Sequence, residues 1–208
     1  MFKTKVKICG ITNYKDAKIC IDAGADALGF VFYKNSKRYI TPIKAKEIIR
    51  KIPPFISKVG VFVNENFENI IEIANLIKID YIQLHGYETP EFCKKISNYY
   101  PVIKAILIKD ENDLKQFKIY KKYVNFLLDT KSESFGGSGK SFNWNLILNY
   151  KEKIGNFILS GGLNKDNIVD AIKLLNPYAV DISSGVEKSA GKKDKRKVEE
   201  FISIVKSL

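Results

Sequence analysis

The sequence is short of the residues that build metal centres and oxidised scaffolds. It has 208 residues, yet only three cysteines, Cys9, Cys20 and Cys93, and a single histidine, His85. No C-x-x-C pair occurs, so no structural zinc site is expected. An odd, widely spaced set of thiols also argues against a disulfide framework and for reduced cysteines. Arginine is scarce as well. The formal charge is +12, but Arg38, Arg50 and Arg196 are the only arginines. Arginine is the preferred reader of bases and the better bidentate partner of phosphate. The charge therefore reads as a solvated lysine coat, and no nucleic-acid partner is expected. A small anionic substrate would still benefit from the positive field. No apolar run approaches the ~18 residues of a membrane span, so no membrane partner is expected. The stretch Met1-Phe2-Lys3-Thr4-Lys5 leads into a strand pattern with no apolar signal core, and a cytoplasmic protein is the expectation.

What the chain does have is rhythm. Short, β-branched apolar runs fall at 6–9, 27–32, 59–63, 81–85, 102–107, 126–129, 157–160 and 179–183. Several are apolar almost throughout, as parallel strands covered on both faces should be. Stretches of helical period lie between them. Thr41-Pro42 and Thr89-Pro90 each read as an N-cap followed by a first-turn proline. Gly24 reads as the C-cap of a helix from Tyr14. Single helices are expected over 110–120, 144–150, 164–175 and 195–206. Strict alternation argues a parallel sheet, open or closed. A count of eight with no spare strand favours one (β/α)8 (TIM) barrel over residues 1–208, of α/β class.

A barrel carries its chemistry at the C-terminal ends of its strands. Cys9, Asn64, Gln83, His85, Asp129, Ser160, Asp181 and Ser183 end strands where a core would prefer Val, Ile or Leu. Asp129 could be a loop anchor, but no helix starts after it. A Gly-rich stretch, Gly136-Gly137-Ser138-Gly139-Lys140, follows instead and suggests a lid or gripping loop over 131–143. It lacks P-loop spacing. Ser160-Gly161-Gly162 and Asp181-Ile182-Ser183-Ser184-Gly185 follow strands seven and eight. Small residues there let backbone N–H groups converge, which suits a phosphate ester. Cys20 and Cys93 sit on apolar helical stripes and read as packing. Cys9 is open between nucleophile, general base and filler. No Cys-His-Asn set exists beyond His85, which weakens a hydrolase reading. His85 could be structural or binding. Arg38, in the second strand–helix loop, could be a surface residue or could grip a carboxylate bidentately.

These residues together resemble the phosphoribosylanthranilate isomerase family of tryptophan biosynthesis. The matching stretches include Lys7-Ile8-Cys9-Gly10-Ile11-Thr12, Gly24-Ala25-Asp26-Ala27-Leu28-Gly29-Phe30, Ser36-Lys37-Arg38-Tyr39 and Gln83-Leu84-His85-Gly86. They continue through Leu128-Asp129-Thr130, Leu159-Ser160-Gly161-Gly162-Leu163 and the run from Asp181 to Glu187. The order is kept over the whole chain. Lys37 and Ala190 stand where the family usually has proline, in loops expected to lie away from the residues given roles. The resemblance implies an Amadori rearrangement of an aminoaldose phosphate to an aminoketose phosphate, with no metal or organic cofactor. It implies Asp129 as general acid and Cys9 as general base, the acid held protonated and the thiol deprotonated near neutral pH. It implies Arg38 on the anthranilate carboxylate and a phosphate held at Gly161, Gly162, Ser184 and Gly185. Gln83, His85, Asp181 and Ser183 complete the expected binding set. The expected partner is a phosphorylated small molecule, and the expected assembly a monomer or homodimer. Two other readings stand beside this one. One is another sugar-phosphate isomerase or epimerase barrel. The other is a non-catalytic anion- or nucleic-acid-binding protein using the lysine coat.

Overall fold

The computed structural model describes residues 3–131 and 141–208. Its eight parallel strands close into one barrel in chain order, β1 (Lys5–Cys9), β2 (Ala27–Val31), β3 (Ser57–Phe62), β4 (Tyr81–Leu84), β5 (Val102–Ile108), β6 (Asn125–Thr130), β7 (Phe157–Leu159) and β8 (Ala179–Ile182). Closure is made by β8 against β1, with Lys7 opposite Asp181. Each expected strand is present, with ends moved by a residue or two.

Side chains on a strand alternate between its faces. The outward set, Val6, Ile8, Leu28, Phe30, Ile82, Leu84 and Leu128 among them, joins the helices in one continuous core. The inward set fills the lower barrel with Val59, Ile103, Ala105 and Leu127, backed by Ala27, Tyr81 and Ile158. Higher on the same inward rows the residues turn polar, and this creates the site.

The helices follow from capping as much as from periodicity. Asn13, Thr41, Asn66, Thr89 and Asp194 each accept a backbone N–H in the first turn of the helix they open. Those helices are α1 (Tyr14–Asp22), α2 (Pro42–Ile49), α3 (Phe67–Ile77) and α4 (Pro90–Ser97), with the C-terminal helix at Lys195–Ser207. Gly24 takes φ +98 just past the end of α1, as its C-terminal reading required.

Two expected helices are broken. The 110–120 stretch forms α5 (Glu111–Leu114) and α6 (Phe117–Tyr120), and 144–150 gives way to α7 (Asn145–Leu148) and α8 (Lys151–Ile154). No proline or glycine marks either break. Each piece docks one or two side chains, Leu114, Phe117 and Tyr120, then Ile147 and Ile154. Contact with the barrel therefore sets these turns more than helical propensity does. After α9 (Ile168–Leu175) and β8 comes a small antiparallel hairpin, β9 (Glu187–Ser189) and β10 (Lys192–Lys193), ahead of α10 (Lys195–Ser207). The sequence pattern did not announce it. The Gly136–Lys140 stretch and most of the expected lid lie outside the described residues.

Candidate active site

A cavity of about 530 Å³ opens at the C-terminal ends of the strands. Cys9, Arg38, Gln83, His85, Asp129, Ser160, Gly161, Gly162, Asp181, Ser183 and Ser184 all line it. Of the expected site residues only Gly185 stands back from the wall. A side chain there would run into the Leu163 carbonyl. Asn64, another polar strand end, turns away to hold the next loop, accepting the Tyr87 N–H at 2.7 Å. Lys37 and Ala190 do line the cavity, so the two departures from the family pattern are at its mouth and not remote from it.

Asp129 rises from the end of β6 and is 6 % exposed. Its Oδ1 accepts the Thr130 N–H at 2.7 Å, and its Oδ2 lies 3.1 Å from His85 Nε2. The other ring nitrogen, Nδ1, lies 2.8 Å from Gln83 Nε2. Gln83 is on β4 and His85 is the residue just past its end; two apart in extended chain, both point inward. The result is a buried hydrogen-bonded row, Gln83–His85–Asp129. Gly161 closes the row from β7. It has φ +87, and a side chain there would run into Thr130 Oγ1 and lie 2.9 Å from Asp129 Oδ1.

Cys9 ends β1 on the wall across from this row and is half-buried, whereas Cys20 and Cys93 are buried in the helix layer. Burial pushes the latter two thiols up to about 12, which suits packing and not reactivity. Burial also pushes the Cys9 thiol above its ordinary value; the charges of Lys7 and Lys193 pull against it, and Asp181 adds to it. In the free chain desolvation outweighs the neighbouring cations in setting this direction.

Arg38 reaches the site over Gly10, where an added side chain would lie 2.6 Å from Arg38 Cδ. Its guanidinium is already held along one edge: Nε donates to Glu187 at 2.9 and 3.2 Å, and Nη2 donates at 2.8 Å. Glu187 also accepts from Lys193 Nζ at 2.9 Å. Burial works to raise the Glu187 carboxyl, but Arg38 and Lys193 together hold it below the ordinary carboxylate value. Lys193 Nζ donates in addition to the Cys9 carbonyl at 2.6 Å. The hairpin thus ties the Arg38 loop to the ends of β1 and β8.

Three lysines depart from the solvated-coat reading. Lys7, Lys104 and Lys193 are each 2–3 % exposed. Lys7 pairs with Asp181 at 2.9 Å, and Lys104 with Glu88 at 2.8 Å. A lysine inside an otherwise apolar strand run, as in Val6-Lys7-Ile8 and Ile103-Lys104-Ala105, was the available signal. Among the described residues no group of three or more His, Cys, Asp or Glu is placed to hold a metal ion, and no helix is long and apolar enough to cross a membrane.

The chain matches known proteins over its length. Residues 6–204 fit a family described as N-(5'phosphoribosyl)anthranilate (PRA) isomerase. An N-(5'-phosphoribosyl)anthranilate isomerase of Thermotoga neapolitana is 50 % identical over 204 residues, covering 98 % of this chain and 99 % of that one. The crystal structure of phosphoribosyl anthranilate isomerase from Thermotoga maritima superposes with a TM-score of 0.94 at 48 % identity, covering 99 % and 100 % of the two chains. A phosphoribosyl anthranilate isomerase crystallised with reduced 1-(o-carboxyphenylamino)-1-deoxyribulose 5-phosphate has a TM-score of 0.91 and 45 % identity, over 99 % and 100 %.

Proposed function

The chain belongs to the N-(5'-phosphoribosyl)anthranilate isomerase family, and from that membership we propose that Asp129 is its general acid and Cys9 its general base. The activity is that of an intramolecular aldose–ketose oxidoreductase in tryptophan biosynthesis. The observation that carries the assignment is the opposition, across one cavity, of a carboxyl in contact with His85 and a half-buried thiol.

Asp129 gives its proton to the ring oxygen of the furanose. The C1–O bond breaks, and the anthranilate nitrogen supplies its lone pair to form an iminium. Cys9, as thiolate, takes the proton from C2. The C2–H electron pair moves into a C1–C2 double bond and neutralises the nitrogen. The resulting enol loses its hydroxyl proton as C1 gains one, and the aminoketose forms. Atoms and charge balance without a co-reactant. The free-site thiol lies high, but the iminium brings a positive charge one bond from C2. That charge favours thiolate just when the base is needed.

The His85 row supports the acid half. With Gln83 Nε2 donating to Nδ1, the ring proton is on Nε2 and Asp129 is ionised. Turning the Gln83 amide over lets Oε1 accept from Nδ1–H and Nε2 accept from a protonated Asp129. The two arrangements correspond to the spent and the loaded acid. Gln83 Oε1 has no hydrogen-bond partner among the described residues, consistent with an amide free to serve either.

Arg38 keeps its outer guanidinium edge for the anthranilate carboxylate while Glu187 occupies the inner one. Gly161, Gly162, Ser183 and Ser184, with the Gly185 backbone, form the phosphate site between β7 and β8. The substrate's two anionic ends then bracket the reacting sugar. The test is turnover by the purified protein of N-(5'-phosphoribosyl)anthranilate, followed as loss of its fluorescence. A first-order decay, slowed by inorganic phosphate and indifferent to duplex DNA, is expected. No decay would refute the reading, and DNA competition would favour a nucleic-acid binder.

A further inference from the structure

Lys7 is an ionised side chain inside the barrel, where the lower layer is otherwise apolar. Its ammonium and the Asp181 carboxylate are 2.9 Å apart, with side chains 3 % and 5 % exposed. Replacing a buried pair of this kind with apolar residues of similar volume is often neutral or stabilising. Stability alone gives no reason for it. The pleat places Lys7 one inward step below Cys9 on β1. On β2, the residue facing both is Gly29. A side chain there would lie 2.8 Å from Cys9 Sγ and 3.2 Å from Lys7 Nζ. Sulfur and ammonium thus share the space that Gly29 leaves open, and the charge of each acts on the other.

We propose that Lys7 is a positioning residue for Cys9: anchored by Asp181, its ammonium is the built-in counter-charge of the Cys9 thiolate. The catalytic consequence rests on Cys9 being the base; the electrostatic pairing does not. Burial works to lower the Lys7 pKa, but the charges of Asp181 and Cys9 outweigh it, so Lys7 keeps its own proton throughout. Other charged groups also face Cys9. Asp181 comes from β8, Lys193 from β10 and Arg38 from the loop after β2, while His85 and Asp129 line the same cavity. Lys193 and Arg38 are both bound to Glu187, and Lys193 reaches the Cys9 carbonyl and not its sulfur. Lys7 is the cation whose ammonium lies beside the thiol in the Gly29 space and whose charge lowers it most.

The test reads thiolate directly. Alkylation of Cys9 by iodoacetamide is followed by peptide mass spectrometry across pH in the wild type, Lys7→Met, Asp181→Asn and the double variant. Cys20 and Cys93 report unfolding in the same samples. Lys7→Met is expected to move the Cys9 midpoint up by about one pH unit or more. Asp181→Asn is expected to move it down. A merely loosened site would instead move both variants down, towards an ordinary thiol. An unchanged or lowered midpoint in Lys7→Met overturns the proposal. If Lys7→Met does not fold, the double variant, which leaves no unpaired buried charge, is decisive. A midpoint above wild type supports the pairing, and one at or below it overturns it. Turnover by Cys9→Ala would refute the base assignment without altering these profiles, so the two failures are distinct.

Discussion

Glu187→Ala is the substitution whose consequences the structure lets us work through most fully. Glu187 is 6 % exposed and accepts from two cations, Arg38 through three short contacts and Lys193 through one. The Arg38 side chain is 16 % exposed and that of Lys193 is 0 %. Truncating Glu187 leaves Lys193 buried with only carbonyl acceptors, and removes the inner anchor of Arg38. Breaking a buried ion pair costs about 3–5 kcal/mol. For a chain of this size that is a fall of about 10 °C in Tm. The second consequence is functional. An Arg38 no longer held along its inner edge pays for its own ordering when it grips a carboxylate. KM for the anthranilate substrate should then rise about tenfold or more, with kcat changing less. Glu187→Gln keeps the shape but not the charge, and should fall between the two. Thermal unfolding and steady-state fluorescence kinetics on the three proteins provide the measurement. A Glu187→Ala protein with Tm within 2 °C, on the order of a 1 kcal/mol change, and an unaltered KM would refute this account of how Arg38 is held.

Gly161→Ala should cost both stability and turnover, since its Cβ would run into Thr130 Oγ1 and displace Asp129 at a φ of +87; a variant with wild-type kcat would contradict the packing argument. The acid limb of stability should depend on Asp26. Burial works to raise its carboxyl, but hydrogen bonds from Lys206 and the Val6 N–H, with Lys5 adding to them, hold it below the ordinary value. A carboxyl depressed in the folded state stabilises above the unfolded pKa, and that contribution is lost as pH falls through the folded one. Urea midpoints should therefore decline from about pH 4 downward, and Asp26→Asn should flatten that decline while lowering stability at neutral pH.

The barrel was legible because parallel strands covered on both faces must be apolar runs, and eight such runs alternating with helices leave few topologies. Cys9, Asp129 and the glycines after β7 and β8 were legible because polar or small residues ending buried strands break that pattern. The proline-led helices after Thr41 and Thr89 were legible from their caps alone. The missed features share one physical character, dependence on a distant partner. Lys7 meets Asp181 from 174 positions away, and Arg38 meets Glu187 from 149. Read locally, Lys193 belonged to a charged run and looked solvated. Only the closing of β8 on β1 buries it. The split of 110–120 into α5 and α6 has the same origin, since Leu114, Phe117 and Tyr120 follow the curvature of the barrel beneath them. Cys9 combines a local and a distant signal. Its place was readable from the strand end, but its titration depends on burial and on three charges brought in from β1, β8 and the hairpin.

The central claim is that one cavity sets a carboxyl and a thiol to move two different protons of one substrate. It is tested most directly by Cys9→Ala and Asp129→Ala, each examined for single turnover of N-(5'-phosphoribosyl)anthranilate and for binding of the reduced aminoketose phosphate. General acid or base groups contribute about 10²–10⁴-fold each, so the turnover rate should fall by at least that much in either variant. Folding and product-analogue affinity should remain close to wild type. Near-normal turnover in either one, with the fold intact, would contradict the assignment of the two protons.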